Sequence, residues 1–468
     1  MKKFIIFSFI IIFCVVVGKR YLFTGDSSFS FFDLYHPSDE VLRVEGNTYV
    51  GNTGELLTLT GMNVGQWLSL EGYLWEVGEH TRQTYREHLS DRDIRERLAT
   101  VLSSTNMSVD TFMDEYRTRF FTQEDVAYVK SLGITVLRIP FSEKDIDTSI
   151  PYMDQVLSWC NMYEIYCLFD LHTANLPQST YSHSDYREET VSWWKNADAQ
   201  QHTIDALLLL AERYNENPWL AGFDILNEPQ SPSDAALQTW YARAITALRT
   251  QGFMHLIFIQ PNNVSLDVAA IMQADSGVVY APHYYGTSGR MMDEHKEVFS
   301  FKDEEHHPLF IGETGNWAND AWAAYTDVFV LYGYRSAHVP FAYWNYKDMI
   351  SDNQGSFGLV RGNITPEWNA FRIALETKTP LPTDVNMENV LSSFVTTFPS
   401  DRPAVIDLFR QVNPDTVINI FTSMQEVDEY FSQSTSTQAG RRGQYLWQMS
   451  EPLAHCNGIT VRECFSGI

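Results

Sequence analysis

The chain has 468 residues, which allows one large domain of about 250 residues or more plus an appendage. A formal net charge of -26 and a pI of about 4.8 exclude a phosphate-binding surface, because nucleic acid needs clustered Lys and Arg and no basic run occurs. The acidic excess is spread along the chain and reads as solvated surface, while an aromatic content of 14% suits ring stacking and core packing alike.

The first residues have the shape of a secretory signal. Lys2 and Lys3 precede an apolar stretch from Phe4 to Val17, and Gly18 precedes Lys19-Arg20. That stretch falls short of the roughly 20 residues that span a bilayer, so residues 1–18 are expected to be removed on export. No Ala-x-Ala site is present, and an uncleaved anchor, the one route to a membrane, is the second choice. A secreted or otherwise extracytoplasmic protein is the expectation.

From Val41 to Met62 the turn signals Val44-Glu45-Gly46-Asn47 and Gly51-Asn52-Thr53-Gly54 predict a hairpin leading into a first strand. Apolar strand-like runs then alternate with amphipathic helices. The predicted strands are Leu57–Met62, Thr135–Ile139, Tyr166–Asp170, Gly222–Leu226, Leu256–Ile259, Val278–Ala281, Leu309–Ile311 and Phe341–Tyr343. The predicted helices are Gln123–Leu132, Tyr152–Cys160, Gln201–Tyr214, Ala235–Thr250, Asp320–Leu331 and Trp368–Glu376. Near-continuous apolar strands separated by helices imply an α/β protein with a closed parallel (β/α)8 TIM barrel over 41–378.

Two intervals, Asn63 to Phe121 and Thr173 to Gln200, are too long for simple crossovers and are expected to shape a cleft. After the linker Thr377-Lys378-Thr379-Pro380-Leu381-Pro382, a C-terminal extension of unassigned role covers 379–468. Helical spacing is read there over Met387–Phe398, Ala404–Val412 and Val417–Phe431. Cys160 and Cys167 are expected to be buried free thiols. Cys456 and Cys464, in a polar tail, could close a short disulfide loop.

Polar residues recur where the strands end, which in a parallel barrel is the mouth. Arg138 follows Val136-Leu137, and His172 follows Phe169-Asp170-Leu171. Asn227 and Glu228 follow Ile225-Leu226, and His283 and Tyr285 follow Tyr280-Ala281-Pro282. Glu313 follows Ile311-Gly312, and Trp344 follows Phe341-Ala342-Tyr343. One such residue would be a solvated loop group or a structural ion pair; recurrence on successive strands weakens that reading. Glu228 and Glu313 would face each other across the mouth, the arrangement that glycosidic bond cleavage requires.

Taken together, Arg138-Ile139-Pro140-Phe141, Asn227-Glu228-Pro229, His283-Tyr284-Tyr285 and Gly312-Glu313-Thr314-Gly315 resemble the retaining β-glycosidases of glycoside hydrolase family 5, over roughly Arg43 to Leu375. That family includes cellulases, mannanases and exo-β-1,3-glucanases. The resemblance implies Glu228 as general acid/base and Glu313 as nucleophile. It implies Arg138, His172, Asn227, His283, Tyr285 and Trp344 as the surrounding substrate-binding shell, with Asn227 holding the sugar 2-hydroxyl. The two glutamates need separated pKa values, with Glu313 ionised and Glu228 raised by repulsion from it.

The segment Gly61-Met62-Asn63-Val64-Gly65-Gln66-Trp67-Leu68 is similar to the exo-β-1,3-glucanase-like members and favours a β-1,3- or β-1,4-linked glucan. It departs from them at Gln66, where Gly is common. Trp67, Trp75, Trp193, Trp194 and Trp317 are candidate sugar platforms or core residues. Asn106, Asn263 and Asn363 fit the glycosylation acceptor pattern. The alternatives are a β-mannanase, another β-glycosidase or transglycosylase on the same site, and a non-catalytic sugar-binding barrel, which would lose a carboxylate. Neither a cofactor nor a metal is expected, because His172, His183, His283, His306 and His307 show no ligand-type pairing. The expected partner is an oligo- or polysaccharide.

Overall fold

The computed structural model describes residues 35–78, 89–186, 192–262, 269–285, 307–315, 330–331, 334–335, 338–350 and 357–397, with Ile406 and Phe409. The signal segment, Cys14, Cys456, Cys464, Trp317, His306, Asn263, most of Asp320–Leu331 and all of Val417–Phe431 lie outside the described residues. Among the described residues no helix is long and apolar enough to cross a membrane.

The chain opens with three short antiparallel strands, β1 (Arg43–Glu45), β2 (Thr48–Val50) and β3 (Leu56–Leu57). They close the amino-terminal end of a barrel: the Tyr49 hydroxyl donates to the Leu309 carbonyl at 3.0 Å, and the Asn52 amide to the Tyr166 hydroxyl at 2.8 Å. The barrel strands are β4 (Thr60–Asn63), β5 (Val136–Ser142), β6 (Tyr166–Thr173), β7 (Leu220–Asp224), β8 (Leu256–Ile259), β9 (Val278–Tyr280), β10 (Ile311–Thr314) and β11 (Phe341–Tyr343). All pair in parallel in chain order, and β11 returns to β4. Two bridges, Tyr280 with Leu309 and His283 with Glu313, join β9 to the β10 segment and close the ring.

Alternation along each strand sorts side chains between two cores. Val136, Leu168, Ala221, Leu256, Phe258, Phe310 and Ala342 fill the lumen, whereas Leu137, Ile139, Phe169, Ile257 and Phe341 meet the outer helices. Arg138 is two residues beyond Val136, and Asp170 and His172 are two and four beyond Leu168, so the strand period carries them into the lumen's upper layer. Gly222 has φ of +149°, and a Cβ there would lie 1.9 Å from the Leu256 carbonyl oxygen, so only glycine lets β7 approach β8 so closely.

Helices Gln123–Ser131, Ile146–Tyr163, Ala197–Tyr214, Asp234–Gln251 and Pro366–Thr377 match the predicted ones with moved ends. The interval after β4 also folds into two helices, Asp91–Val101 and Val109–Phe120, that its sparse apolar spacing concealed. Cys160 and Cys167 are buried free thiols.

Past the last barrel helix, the helix beginning at Met387 stops at Ser392 instead of running to Phe398. Phe394 turns into the core against Trp75, Tyr116 and Trp368. Its carbonyl accepts from the buried Lys347 ammonium at 2.8 Å. Strands β12 (Lys347–Asp348), β13 (Val360–Gly362) and β14 (Thr396–Thr397) then form a small sheet. Farther along, Ile406 and Phe409 are helical and buried.

Candidate active site

The cleft at the carboxyl end of the barrel encloses about 230 Å³, with Glu228 and Glu313 among its lining residues. Arg138 is fully buried at its base. Its guanidinium meets three carboxylates: Asp170 at 3.0 Å, Asp224 at 2.9 Å and Glu313 at 2.7 Å. It also donates to the side-chain oxygens of Asn63 at 3.0 Å and Asn227 at 2.9 Å. Those partners push the Arg138 pKa above its ordinary value although burial opposes the charge. Burial pushes Asp224 up to about 6 against the pull of Arg138.

Glu313 sits where the β10 register shifts between Ile311 and Thr314, an irregularity that aims its side chain inward. One carboxylate oxygen takes the Arg138 bond, and the other accepts from the Tyr285 hydroxyl and lies 3.4 Å from His283 Nδ1. Glu228 follows β7 with φ of +39°, in the left-handed region that costs a non-glycine residue about 1 kcal/mol or more. Its amide is held by Gln260 Oε1 at 2.8 Å. The side chain remains 28% exposed, with Oε1 at 2.9 Å from His283 Nδ1 and Oε2 at 3.8 Å from His183 Nδ1.

The structure departs from expectation at the Glu228 pKa. Burial alone would raise it, but the hydrogen bond from His283 and the nearby charges of His183, His283 and His172 outweigh burial and hold it down to about 2. The expected rise from Glu313 is not found; His283 Nδ1 stands between the two carboxylates, 2.9 Å from Glu228 and 3.4 Å from Glu313.

His172 Nδ1 bonds Asp170 at 2.6 Å, and its Nε2 faces Glu71 at 3.5 Å. Burial would lower its pKa, but Asp170 and Glu71 prevail and push it up to about 10, so the ring is an imidazolium at neutral pH. The Trp344 indole stacks on that ring at 5.7 Å, tilted by 6°, and its Nε1 donates to the Tyr73 hydroxyl at 2.9 Å. Asn227 Nδ2 is buried with no protein partner, aimed into the cleft beside Glu228.

All eight predicted residues, Arg138, His172, Asn227, Glu228, His283, Tyr285, Glu313 and Trp344, thus meet around one cleft. Glu71, Tyr73, Asp170, His183, Asp224 and Gln260 were not predicted to join them. The signal for Asp170 and Asp224 was present, since a carboxylate inside an apolar strand must find a cation. The platform candidates Trp67, Trp75 and Trp193 are core residues with no exposed surface, and Trp194 is half-buried. Gln66 adopts φ of +68°, the conformation for which glycine is favoured, and its Oε1 accepts the Glu71 amide in partial compensation.

Among the described residues, two trios bring one ligand-type atom each within 4.8 Å: Glu71, His172 and His183, and Glu228, His283 and Glu313. In the first, both nitrogens of His172 already face carboxylates that keep the ring protonated, so no lone pair is offered to a cation.

A closed parallel barrel with paired carboxylates at its carboxyl mouth defines the class of (β/α)8 enzymes that carry an acidic pair. Residues 99–349 match the family model described as cellulase (glycosyl hydrolase family 5), and the chain belongs to that family. A β-xylosidase of Phanerodontia chrysosporium is 30% identical over 261 residues, covering 53% of this chain and 52% of that protein. A probable glucan 1,3-beta-glucosidase A of Aspergillus fumigatus is 24% identical over 238 residues, covering 48% and 55%. The chain thus spans about half the length of the curated relatives it matches. A crystal structure of endogalactoceramidase shares the fold with a TM-score of 0.50 at 17% identity, covering 66% of this chain and 75% of that one.

Proposed function

We propose that the protein is a retaining β-glycosidase acting on β-linked glucosides or β-1,3- or β-1,4-glucans, with Glu313 as nucleophile and Glu228 as general acid/base. The observation that carries this reading is the trio in which Glu228, His283 and Glu313 each bring an atom within 4.8 Å of the others. Retaining enzymes hold their carboxyls about 5–5.5 Å apart, whereas inverting ones need about 6.5–9.5 Å to admit a water. The spacing supports double displacement.

In the first half-reaction a Glu313 oxygen forms a bond to the anomeric carbon. The carbon–oxygen pair leaves with the departing oxygen, which takes the proton of Glu228. In the second, Glu228 takes a proton from water, whose oxygen displaces Glu313 from the same carbon. Arg138 and Tyr285 hold Glu313 oriented through hydrogen bonds to its two oxygens. In the free protein Glu228 Oε1 and His283 Nδ1 share the hydrogen of the bond between them. Transfer across that 2.9 Å contact converts Glu228 to the acid.

The partnerless Asn227 Nδ2 supports a bond to the sugar 2-hydroxyl, and the place of Trp344 in the cleft wall supports a stacking floor. The names of the relatives support both gluco- and xylo-configured sugars. Nitrophenyl β-D-glucoside and β-D-xyloside are therefore the first probes. We also propose residues 1–18 as an export signal and the segment from 379 as an extension built onto the barrel.

Glu313→Ala is expected to lower turnover at least about 10⁴-fold, with azide restoring it as an α-glycosyl azide. Proton NMR of the first product formed by the native protein should show the β-anomer. An α-anomer would refute the mechanism.

A further inference from the structure

His183 belongs to the loop after β6, in the short turn Ser182–Ser184, and no strand end or motif marks it. It is 7% exposed, packed edge-on against His172 at 5.3 Å and tilted against Tyr181 at 5.5 Å. The hydrogen-bond chain behind the ring fixes its tautomer. Ser184 Oγ has one hydrogen, and the acceptors within its reach are the carbonyls of Ser179 at 2.8 Å and Tyr181 at 2.9 Å. The Ser184 oxygen therefore accepts the Ser179 hydroxyl hydrogen across 3.1 Å. With that hydrogen spent, Ser179 Oγ meets His183 Nε2, 3.2 Å away, as an acceptor. Nε2 carries the ring hydrogen, and the Nδ1 lone pair points at Glu228 Oε2, 3.8 Å away. That spacing is too long for a hydrogen bond.

We propose that His183 is a positioning residue for the general acid, its Nδ1 lone pair disfavouring the Glu228 carboxylate across the present 3.8 Å and, once that gap shortens, accepting the proton of the carboxylic form. This rests on the glycosidase reading. Burial supports it by lowering the His183 pKa to about 4, so the ring is neutral at the pH of catalysis, and the charge with which it favours the Glu228 anion is present only in acid below that pH. His283 and His183 thus act on opposite oxygens of one carboxyl: His283 favours the anion, and His183 tips the shared proton back toward Glu228. The remaining groups around this carboxyl are His172 behind His183, with Glu313 and Tyr285 beyond His283. His183 acts before the sugar arrives, because the leaving oxygen replaces it as the proton's acceptor. Its influence therefore falls on kcat/KM, which reports the free protein, more than on kcat.

His183→Ala admits water, which can donate to the anion, whereas His183→Asn places an amide oxygen near the former Nδ1. With phenyl β-D-glucoside, whose leaving group needs the acid, His183→Ala should move the alkaline limb of kcat/KM down by about one pH unit, with a smaller shift in kcat. His183→Asn should retain most of the wild-type limb. With 2,4-dinitrophenyl β-D-glucoside, which leaves unaided, the Ala variant should lose less than about threefold in rate. Equal displacement by Ala and Asn, or no displacement by Ala, overturns the proposal. So does an equal loss on both substrates, the signature of a merely structural role. Nitrogen-15 NMR of the unmutated protein provides an arm that needs neither turnover nor a variant. It should show His183 with a protonated Nε2 and a bare Nδ1, and the opposite tautomer overturns the proposal. An inactive native protein with the expected tautomer would instead refute the glycosidase reading.

Discussion

Taking the Arg138 guanidinium out of water costs several kcal/mol unless carboxylates meet it, and Asp170, Asp224 and Glu313 all do. The three acids would repel one another without it, so the cation and its acids fold in together. His172 adds a second buried positive charge in the same layer, and that charge has a consequence for stability. Its pKa is about 10 in the folded protein and near 6.5 when unfolded. The stabilisation is therefore fully present below about pH 6.5 and is lost as pH rises through about 10. Thermal unfolding followed from pH 6 to 10.5 should show a decline of up to about 1.4 kcal/mol per pH unit, flattened in His172→Gln. An equal slope in the variant would remove His172 from that role.

At the scale of elements, β10 owes its function to one missing side chain. A Cβ on Gly312 would lie 2.8 Å from His283 Nε2, and a real Cβ there must push the imidazole off its place between Glu228 and Glu313. Gly312→Ala should lower kcat at least about tenfold while shifting the melting temperature by only a few degrees, about what a loss near 1 kcal/mol produces. Assays paired with calorimetry would check both. The strands were legible because each is a short apolar run bounded by turn residues, and Leu256–Ile259 and Phe341–Tyr343 appear with their predicted ends. The site was legible wherever a polar residue broke the end of such a run, as at His172, Asn227 and Glu313. Glu71, Tyr73 and His183 escaped because they come from irregular segments after β4 and β6, whose course is set by tertiary contacts and has no period. The end of the Met387 helix escaped for the same reason: the Lys347 ammonium that captures the Phe394 carbonyl is 47 residues away.

For the molecule as a whole, the linker composition at 377–382 marks an edge of the barrel that packing does not respect. Leu381, Val390, Leu391 and Phe394 are buried in the main core, and the Leu381 amide donates to the Val101 carbonyl at 2.9 Å. Burying such side chains contributes about 1.5–3 kcal/mol each, a total comparable with the net stability of a typical domain. A chain ending at Lys378 should therefore lose cooperative unfolding or melt at least about 10 °C lower than the full chain. Equal melting temperatures would show the later segment to be an independent module.

The bridge between His283 and Glu313 lies in the seam that completes the ring. An opened sheet, with β9 parted from β10, would keep Glu228 beside His283 and carry Glu313 away from both. Closure of the cylinder and assembly of the acidic pair are thus the same event.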